Sequence, residues 1–378
     1  MAEKEFDFSK VERRLGVSRR TFLKFCTGVA ASMGLPATSA MAMAKAVADP
    51  KRRPPVIWLH GQECTGPTEA LLRSEQPSLA HLILDLISLD YHQTLDAGAG
   101  HQVEAIKKKS MRENAGKYLL VIEGAIPVKD KGIYCKIAGE TMLDLTREAA
   151  EHAAAIVAYG SCASWGGVQS ATPNPTGAQG APKVLKGKAV VTIPGCPPNP
   201  ANFVDTVLFF ITYGKLPPLD EKMRPKWAYA RLIHENCYRR PHFDAGRFAN
   251  EFGDEGHRKG YCLYKLGCKG PETYNNCPTL EYNNIGGGVW PVGVGHPCFG
   301  CSEGGVGFTK PLFTLADLKS LTPPDTFPVI QDRQKTGGLS AGAAALAGAA
   351  VGAAVGATAV AAKKLGDKDS SASGDQQD

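Results

Sequence analysis

The segment Pro55-Val56-Ile57-Trp58-Leu59-His60-Gly61-Gln62-Glu63-Cys64 couples a brief apolar run to a polar, glycine-containing exit that ends on a cysteine. Residues 56–59 read as a buried strand, because the run is short, wholly apolar and closed by a loop. Residues 118–122, 155–159 and 189–193 repeat the pattern. Between these runs, residues 68–73, 141–154 and 201–213 read as helices. Strands alternating with helices imply a parallel sheet covered on both faces, a flavodoxin-like α/β arrangement spanning residues 49–215.

Such sheets bind ligands beyond the carboxyl ends of their strands. Cys64 follows the first of the four runs, Cys162 the third and Cys196 the fourth. Glycines flank two of them, in Gly160-Ser161-Cys162 and Gly195-Cys196-Pro197-Pro198, as close approach of backbone to a bulky inorganic ligand requires. For any one of these cysteines alone, a small buried hydrophobe is the competing reading. Three at the same topological place converge in space.

Beyond Lys215 the apolar periodicity fades while proline, glycine and aromatic residues persist, and residues 216–325 form a second, mostly irregular domain. His234-x2-Cys237, Cys262-x5-Cys268, Cys277 and Cys298-x2-Cys301 place seven soft or borderline ligands in this domain, including six of the eleven cysteines. Disulfides would leave His234 idle and make the C-x2-C spacing accidental. Zinc takes ligands in closed sets of four and would strand three of the seven. Two iron-sulfur clusters divide the set more naturally, one with four ligands and one with a corner missing. Metal ligation also supplies the core that a segment without regular structure lacks.

The chain has 378 residues, a formal net charge of +6, 43% hydrophobic and 21% charged residues, which is ordinary for a globular protein. Its basic residues are scattered, so nucleic acid is not an expected partner. Residues 1–48 read as a twin-arginine export signal: Ser18-Arg19-Arg20-Thr21-Phe22-Leu23-Lys24, a weakly apolar run over 25–35, then Ser39-Ala40-Met41-Ala42 as the cleavage region. Cys26 lies inside this signal and is left out of the ligand set. Residues 326–338 form a polar linker, and 339–362 are a run of 24 uncharged residues dominated by alanine and glycine. As a helix that run would extend roughly 36 Å, enough to cross a bilayer core of about 30 Å. Gly348, Gly352 and Gly356 permit close helix contact. A low-complexity soluble linker is the competing reading. Lys363, Lys364 and Lys368 in the tail, 363–378, favour an outward-facing body with a cytoplasmic carboxyl terminus.

Several stretches together resemble the small, electron-transferring subunit of membrane-bound nickel-iron hydrogenases, particularly the hydrogenase-2-like uptake enzymes. They are R-P-P-V-I-W-L-H-G-Q-E-C-T-G from Arg53, N-P-T-G-A from Asn174, I-P-G-C-P-P-N-P from Ile193, R-R-P-H-F-D-A-G-R-F from Arg239, L-G-C-K-G-P-E-T from Leu266 and G-H-P-C-F-G-C from Gly295. The resemblance implies a chain that carries electrons from dihydrogen, split in a separate large subunit holding the nickel-iron centre, to a membrane partner. It implies a proximal cluster on Cys64, Cys162 and Cys196, a distal 4Fe-4S cluster on His234, Cys237, Cys262 and Cys268, and a medial cluster on Cys277, Cys298 and Cys301. Pro291 stands where relatives with a four-iron medial cluster place a fourth cysteine, which implies a 3Fe-4S medial cluster. Glu63 matches a position linked in the family to proton movement; a solvated or capping glutamate is the alternative. Implied partners are the large subunit, a membrane cytochrome or quinone-reducing subunit, a ferredoxin-like subunit and the twin-arginine translocase. The implied location is the outward face of the cytoplasmic membrane.

The chain departs from the family at one point. The family uses C-x2-C in the first loop, whereas Pro67 follows Cys64-Thr65-Gly66 and offers neither thiolate nor N–H. The fourth proximal corner could be filled by Cys135, by Glu63, Glu69 or a solvent hydroxide; the site could hold a three-iron cluster; or Pro67 could be an engineered or erroneous residue. Gly66 and Gly167 occupy positions where oxygen-tolerant relatives carry extra cysteines, so the chain resembles the oxygen-sensitive type. An assembly or sensing subunit with an impaired proximal site is the competing function, and a zinc-stabilised binding module a third.

Overall fold

In the computed structural model, which describes residues 18–74, 86–282 and 289–328 with Phe8 and Ile330, the first apolar run is strand β1 (Pro55–His60). Its alternation sorts side chains between two layers: Val56 and Trp58 enter one core, Ile57 and Leu59 the other. Strands β2 (Ser88–His92), β3 (Leu119–Glu123), β4 (Ala155–Tyr159) and β5 (Val190–Ile193) complete the sheet. The order is β2-β1-β3-β4-β5 and every pairing is parallel, the flavodoxin-like doubly wound topology. β2 went unread in the sequence because Ser88-Leu89-Asp90-Tyr91-His92 is an edge strand with a polar, half-buried start.

The first layer is built from α1 (Arg19–Ser32), α2 (Thr38–Ala48), α3 (Gly66–Leu72) and a long helix over Pro200–Tyr213. That long helix starts at Asn199, whose side chain accepts from Ala201 N at 3.0 Å, carries Pro200 in its first turn and stops at Gly214 in the left-handed region. Its Phe203, Val204, Val207 and Leu208 pack with Trp58, Tyr159 and Ile193 from the sheet. Each such fully buried side chain contributes about 1.5–3 kcal/mol relative to exposure. The second layer holds α4 (His101–Glu113) and α5 (Met142–Glu151), with Met142, Leu143, Leu145 and Ala149 against Leu120, Ile122 and Ile156. Thr141 caps α5 by accepting from Asp144 N at 3.1 Å. A five-residue helix, α6 (Ser161–Trp165), follows β4, so the long helix is α7.

Residues 19–48, expected to stand outside the domain, form α1 and α2 and place Phe22, Cys26, Val29, Met43 and Ala44 in the first core.

From residue 216 onward, the described residues include no helix longer than five residues and only isolated bridges between extended segments. The core of this region joins Ile233, Leu263, Leu266, Trp290 and Val292 to the side chains of Cys237, Cys268 and Cys298. Candidate ligands are therefore part of the packing itself. Among the described residues no helix is long and apolar enough to cross a membrane; residues 339–362, expected to span one, lie outside them.

Candidate metal centres

The carboxyl edge of the sheet collects the first group. β1 exits through Gly61, whose N–H donates to Glu123 O at 2.7 Å, and Gln62, which exchanges two 2.8 Å backbone bonds with Ala125. Thr65 then takes a left-handed conformation (φ 63°) and starts α3, leaving Cys64 exposed at the turn. Cys162 sits in α6 and Cys196 follows β5. Gly160 N donates to Ile193 O and Ser161 N to Gly195 O, each at 2.9 Å, which holds these two loops side by side. A Cβ on Gly195 would come within 2.3 Å of Pro198 Cα, so only glycine fits there. Burial pushes the Cys162 thiol up to about 12, reinforced by the nearby Cys196, Cys64 and Glu63. The three strand-end cysteines are thus brought together as the sequence predicts.

Near this triad, the residue three positions after Cys64 brings hydrocarbon and no ligand atom. Pro67 is buried in the first turn of α3, its ring lying where a Cβ on Gly160 would be 2.8 Å from Cγ. Glu63 turns back on its own loop: it accepts from Thr65 N, from Thr65 Oγ1 at 3.2 Å, and lies 3.2 Å from His60 Nδ1. Glu69 is exposed. Cys135 is half-buried, packs beside the second core and has Glu63 as its charged neighbour. Gly66 and Gly167 do border the thiols: a Cβ at each would lie 3.1 Å from Cys64 Sγ and 2.5 Å from Cys162 Sγ.

The irregular domain gathers the other two groups. Cys237 has Cys268 and Cys262 as charged neighbours, and burial pushes both the Cys237 and Cys262 thiols up to about 12. Gly270 fits between Cys268 and His234, since a Cβ there would be 3.4 Å from Cys268 Sγ and 3.7 Å from His234 N. His234 is buried, its ring packed edge-on against Phe243 at 4.5 Å, and its Nε2 makes no hydrogen bond among the described residues. Burial, with the Arg240 charge beside it, holds its imidazole down at about 3, so it is a neutral donor. Cys277 and Cys301 adjoin one another, and Cys298 adjoins both of them and Cys268. A desolvated thiol ionises only when a cationic centre takes the place of its proton. Grouped, largely buried soft donors, and an imidazole nitrogen with no hydrogen-bond partner among the described residues, fit iron-sulfur ligation.

The groups adjoin one another in series. Cys301 lies beside Cys277 and also beside Cys196 of the strand-end triad, and Cys298 reaches Cys268. Three hydrogen bonds fix the joints: Ser161 Oγ donates to Cys301 O at 2.7 Å while accepting from Gly195 N at 3.0 Å, and Lys269 N donates to Cys298 O at 2.6 Å. Arg224 NH1 adds contacts to Ser302 O at 3.1 Å and to the buried Glu303 at 2.8 Å.

Sequence reasoning missed a buried polar network behind the triad. His60, His92 and Glu123 end β1, β2 and β3, close enough together to hold a cation. Their hydrogen bonds describe a different use. His92 Nδ1 accepts from Thr94 N and Leu95 N at 3.2 and 3.3 Å, so its proton sits on Nε2, facing Thr68 Oγ1 at 3.3 Å. Thr68 Oγ1 donates to Glu123 Oε2 at 2.5 Å, and Glu123 also accepts from Trp58 Nε1 and Thr68 N. A metal at His92 Nε2 would displace that arrangement. The available signal was a carboxylate closing a wholly apolar strand at the topological place the cysteines share.

Two family models match the chain: that of the 20 Kd subunit of NADH ubiquinone oxidoreductase over residues 64–210, and that of the carboxyl-terminal part of the NiFe/NiFeSe hydrogenase small subunit over 229–314. The chain is 54% identical over 351 residues to the hydrogenase-2 small chain of Escherichia coli K12, covering 93% of this chain and 94% of that one. It is 49% identical over 298 residues to the uptake hydrogenase small subunit of Rhizobium leguminosarum bv. viciae, covering 79% and 82%. Among solved structures it matches the [NiFeSe] hydrogenase of Desulfovibrio vulgaris Hildenborough with a TM-score of 0.61 and 38% identity, over 66% of this chain and 93% of that one. Parallel sheet, strand-end cysteines, ligand-built second core and these relatives agree: the chain belongs to the small subunits of nickel-iron hydrogenases.

Proposed function

We propose that this small subunit, the electron-transferring partner of a large subunit that holds the nickel-iron site, works as a three-station relay ending at a membrane acceptor. The supporting observation is the series of neighbouring thiols from Cys64, Cys162 and Cys196, through Cys301, Cys277 and Cys298, to Cys268, Cys262 and Cys237, with His234 across Gly270 from Cys268. Iron-sulfur clusters at these stations would supply one-electron redox centres for electrons released by dihydrogen oxidation. On this reading the first group holds the proximal cluster, the second a 3Fe-4S medial cluster and the third a 4Fe-4S distal cluster. His234 offers a neutral ligand where the others are anionic, which changes the charge of the distal station. Ser161 and Lys269 N fix the spacing between stations, and burial of Cys237, Cys262, Cys268 and Cys298 keeps water from their thiols. Glu63, held against Thr65 and His60, is positioned to pass a proton near the first station.

Export through the twin-arginine route and anchoring by residues 339–362 belong to the same proposal, with the body on the outer face of the cytoplasmic membrane. The acceptor would be a cytochrome or quinone-reducing membrane subunit, together with a ferredoxin-like subunit. One relative, 49% identical over 292 residues, is named as a periplasmic [NiFe] hydrogenase small subunit.

Pro67, buried against Gly160 and without a ligand atom, favours one competing reading, an assembly or sensing subunit whose first station is impaired. Hydrogen-dependent dye reduction separates the two, comparing the purified heterodimer with its Pro67→Cys variant at equal nickel loading. Equal activity supports the relay with its proximal site completed in another way. Activity confined to the variant means that Pro67 interrupts the relay at its first step.

A further inference from the structure

α1 and α2 make a helical hairpin whose second arm packs on α7. Ser18 caps α1 by accepting from Thr21 N at 3.2 Å, which sets Arg19 and Arg20 in the exposed first turn. The opposite stripe, Phe22, Cys26, Val29 and Ala30, is 3%, 1%, 7% and 1% exposed. Along α2, Ser39, Ala40, Met43, Ala44 and Val47 are buried while Met41 points outward. A polar contact crosses to α7, where Ser32 Oγ donates to Asp205 Oδ2 at 2.8 Å.

We infer that α7 is a docking surface whose ligand is the chain's own leader, so that the precursor displays its paired arginines while its cleavage region stays folded. The inference rests on the export reading of residues 1–48 and goes beyond it. Proteases bind their substrates as extended backbone at exposed, locally unfolded sites. Ser39-Ala40-Met41-Ala42 lies within helix α2, with Ser39 and Ala40 against the body. Cleavage therefore requires α2 to unwind. Withdrawal of α1 promotes that, because it strips Phe22, Cys26 and Val29 from the core that holds α2. The sequence of maturation is built into the packing: arginines are read first, the leader is pulled away second, and the chain is cut third.

Cys26 is a native probe of the docked state. The full-length precursor complex is treated with N-ethylmaleimide, and modification of the Cys26 peptide is followed by mass spectrometry against the same protein in denaturant. Docking predicts labelling at least about 100-fold slower in the native protein, as for a site reached only by local opening. Met43→Glu, on the packed side of α2, and Phe22→Ser, on that of α1, should each speed labelling and admit trypsin after Lys45. Met41→Glu, on the exposed side, should do neither. Visible cluster absorption in the same samples shows that the body remains folded. Native Cys26 reacting within about threefold of the denatured rate overturns the inference, as does Met41→Glu matching Met43→Glu. Export of an Arg19→Lys/Arg20→Lys variant is scored in parallel. Undiminished export with a protected Cys26 would refute the export reading alone and leave the docked hairpin standing.

Discussion

Arg240 is fully buried, and its replacement tests how the irregular domain is held. Its Nε lies 2.9 Å from both carboxylate oxygens of Asp244, and NH2 donates to Leu321 O at 3.1 Å and Thr322 O at 2.9 Å. One side chain thus neutralises a buried acid and pins the segment at Leu321 and Thr322 to the short helix over Arg240–Asp244. Arg240→Met keeps most of the volume but leaves Asp244, 5% exposed, without its cation. Breaking one partner of a buried pair costs about 3–5 kcal/mol, whereas replacing both by apolar residues is often close to neutral. At about 2–4 °C per kcal/mol for a domain of 150–250 residues, the single variant should lose roughly 6–20 °C in thermal midpoint. Arg240→Met/Asp244→Leu should recover at least half of that loss. The assay is thermal loss of visible absorption by the purified heterodimer at one scan rate, with nickel content matched. A single variant within about 2 °C of the parent, a shift below 1 kcal/mol on the same scale, would refute the assignment, as would a double variant no better than the single.

Three further outcomes follow from the geometry. His234→Ala should remove up to about four irons per chain if His234 completes a four-iron site, measured by iron analysis with hydrogen-dependent dye reduction falling in parallel, whereas His234→Cys should retain the iron. Gly195→Ala places a Cβ 2.3 Å from Pro198 Cα; it should displace the Cys196 loop and lower both iron content and activity, and unchanged values would show that the loop yields more easily than its contacts indicate. Leader docking should weaken with rising pH, because burial, partly offset by Ser32, raises the Asp205 carboxyl from 3.8 to about 7. The docked state then keeps a proton that the open state releases, so docking is strongest below the ordinary carboxylate range, declines as pH rises towards 7 and levels off above it. Cys26 labelling, corrected for thiolate fraction, should accelerate over that window, and Asp205→Asn should flatten the profile.

The parts of the fold that were legible share a simple physical signature. β1, β3, β4 and β5 are short, two-sided apolar runs, and the burial of both faces of a central parallel strand leaves little else for such a run to be. β2 lies at the edge, where burial relaxes and the signal fades. The cysteine groups were legible because soft donors are scarce and their spacing is rarely accidental; the structure brings Cys64, Cys162 and Cys196 near one another, and likewise Cys277, Cys298 and Cys301. Pro67 was legible as a departure; the ring against Gly160 required coordinates. The packing of α1 and α2 was hidden by composition, since a weakly apolar leader and an amphipathic core helix use the same residues. Glu123 and Ser161 were hidden for another reason: their roles depend on partners such as Trp58 and Cys301, distant in sequence, that nothing local announces. The membrane span expected over residues 339–362 is a reading of hydropathy and lies outside the described residues.

The hydroxyl of Ser161 has a mechanical consequence. It accepts from Gly195 N and donates to Cys301 O, so a rigid, strand-anchored loop is stapled to a segment with little regular structure of its own. Tunnelling rates decay steeply with distance, and a gap bounded on one side by soft chain would make conduction fluctuate with every thermal breath of that chain. The sheet lends its stiffness across this staple. On the relay reading Ser161 would act as a spacer gauge, transferring the dimensional precision of parallel β-structure to a region with little regular structure of its own.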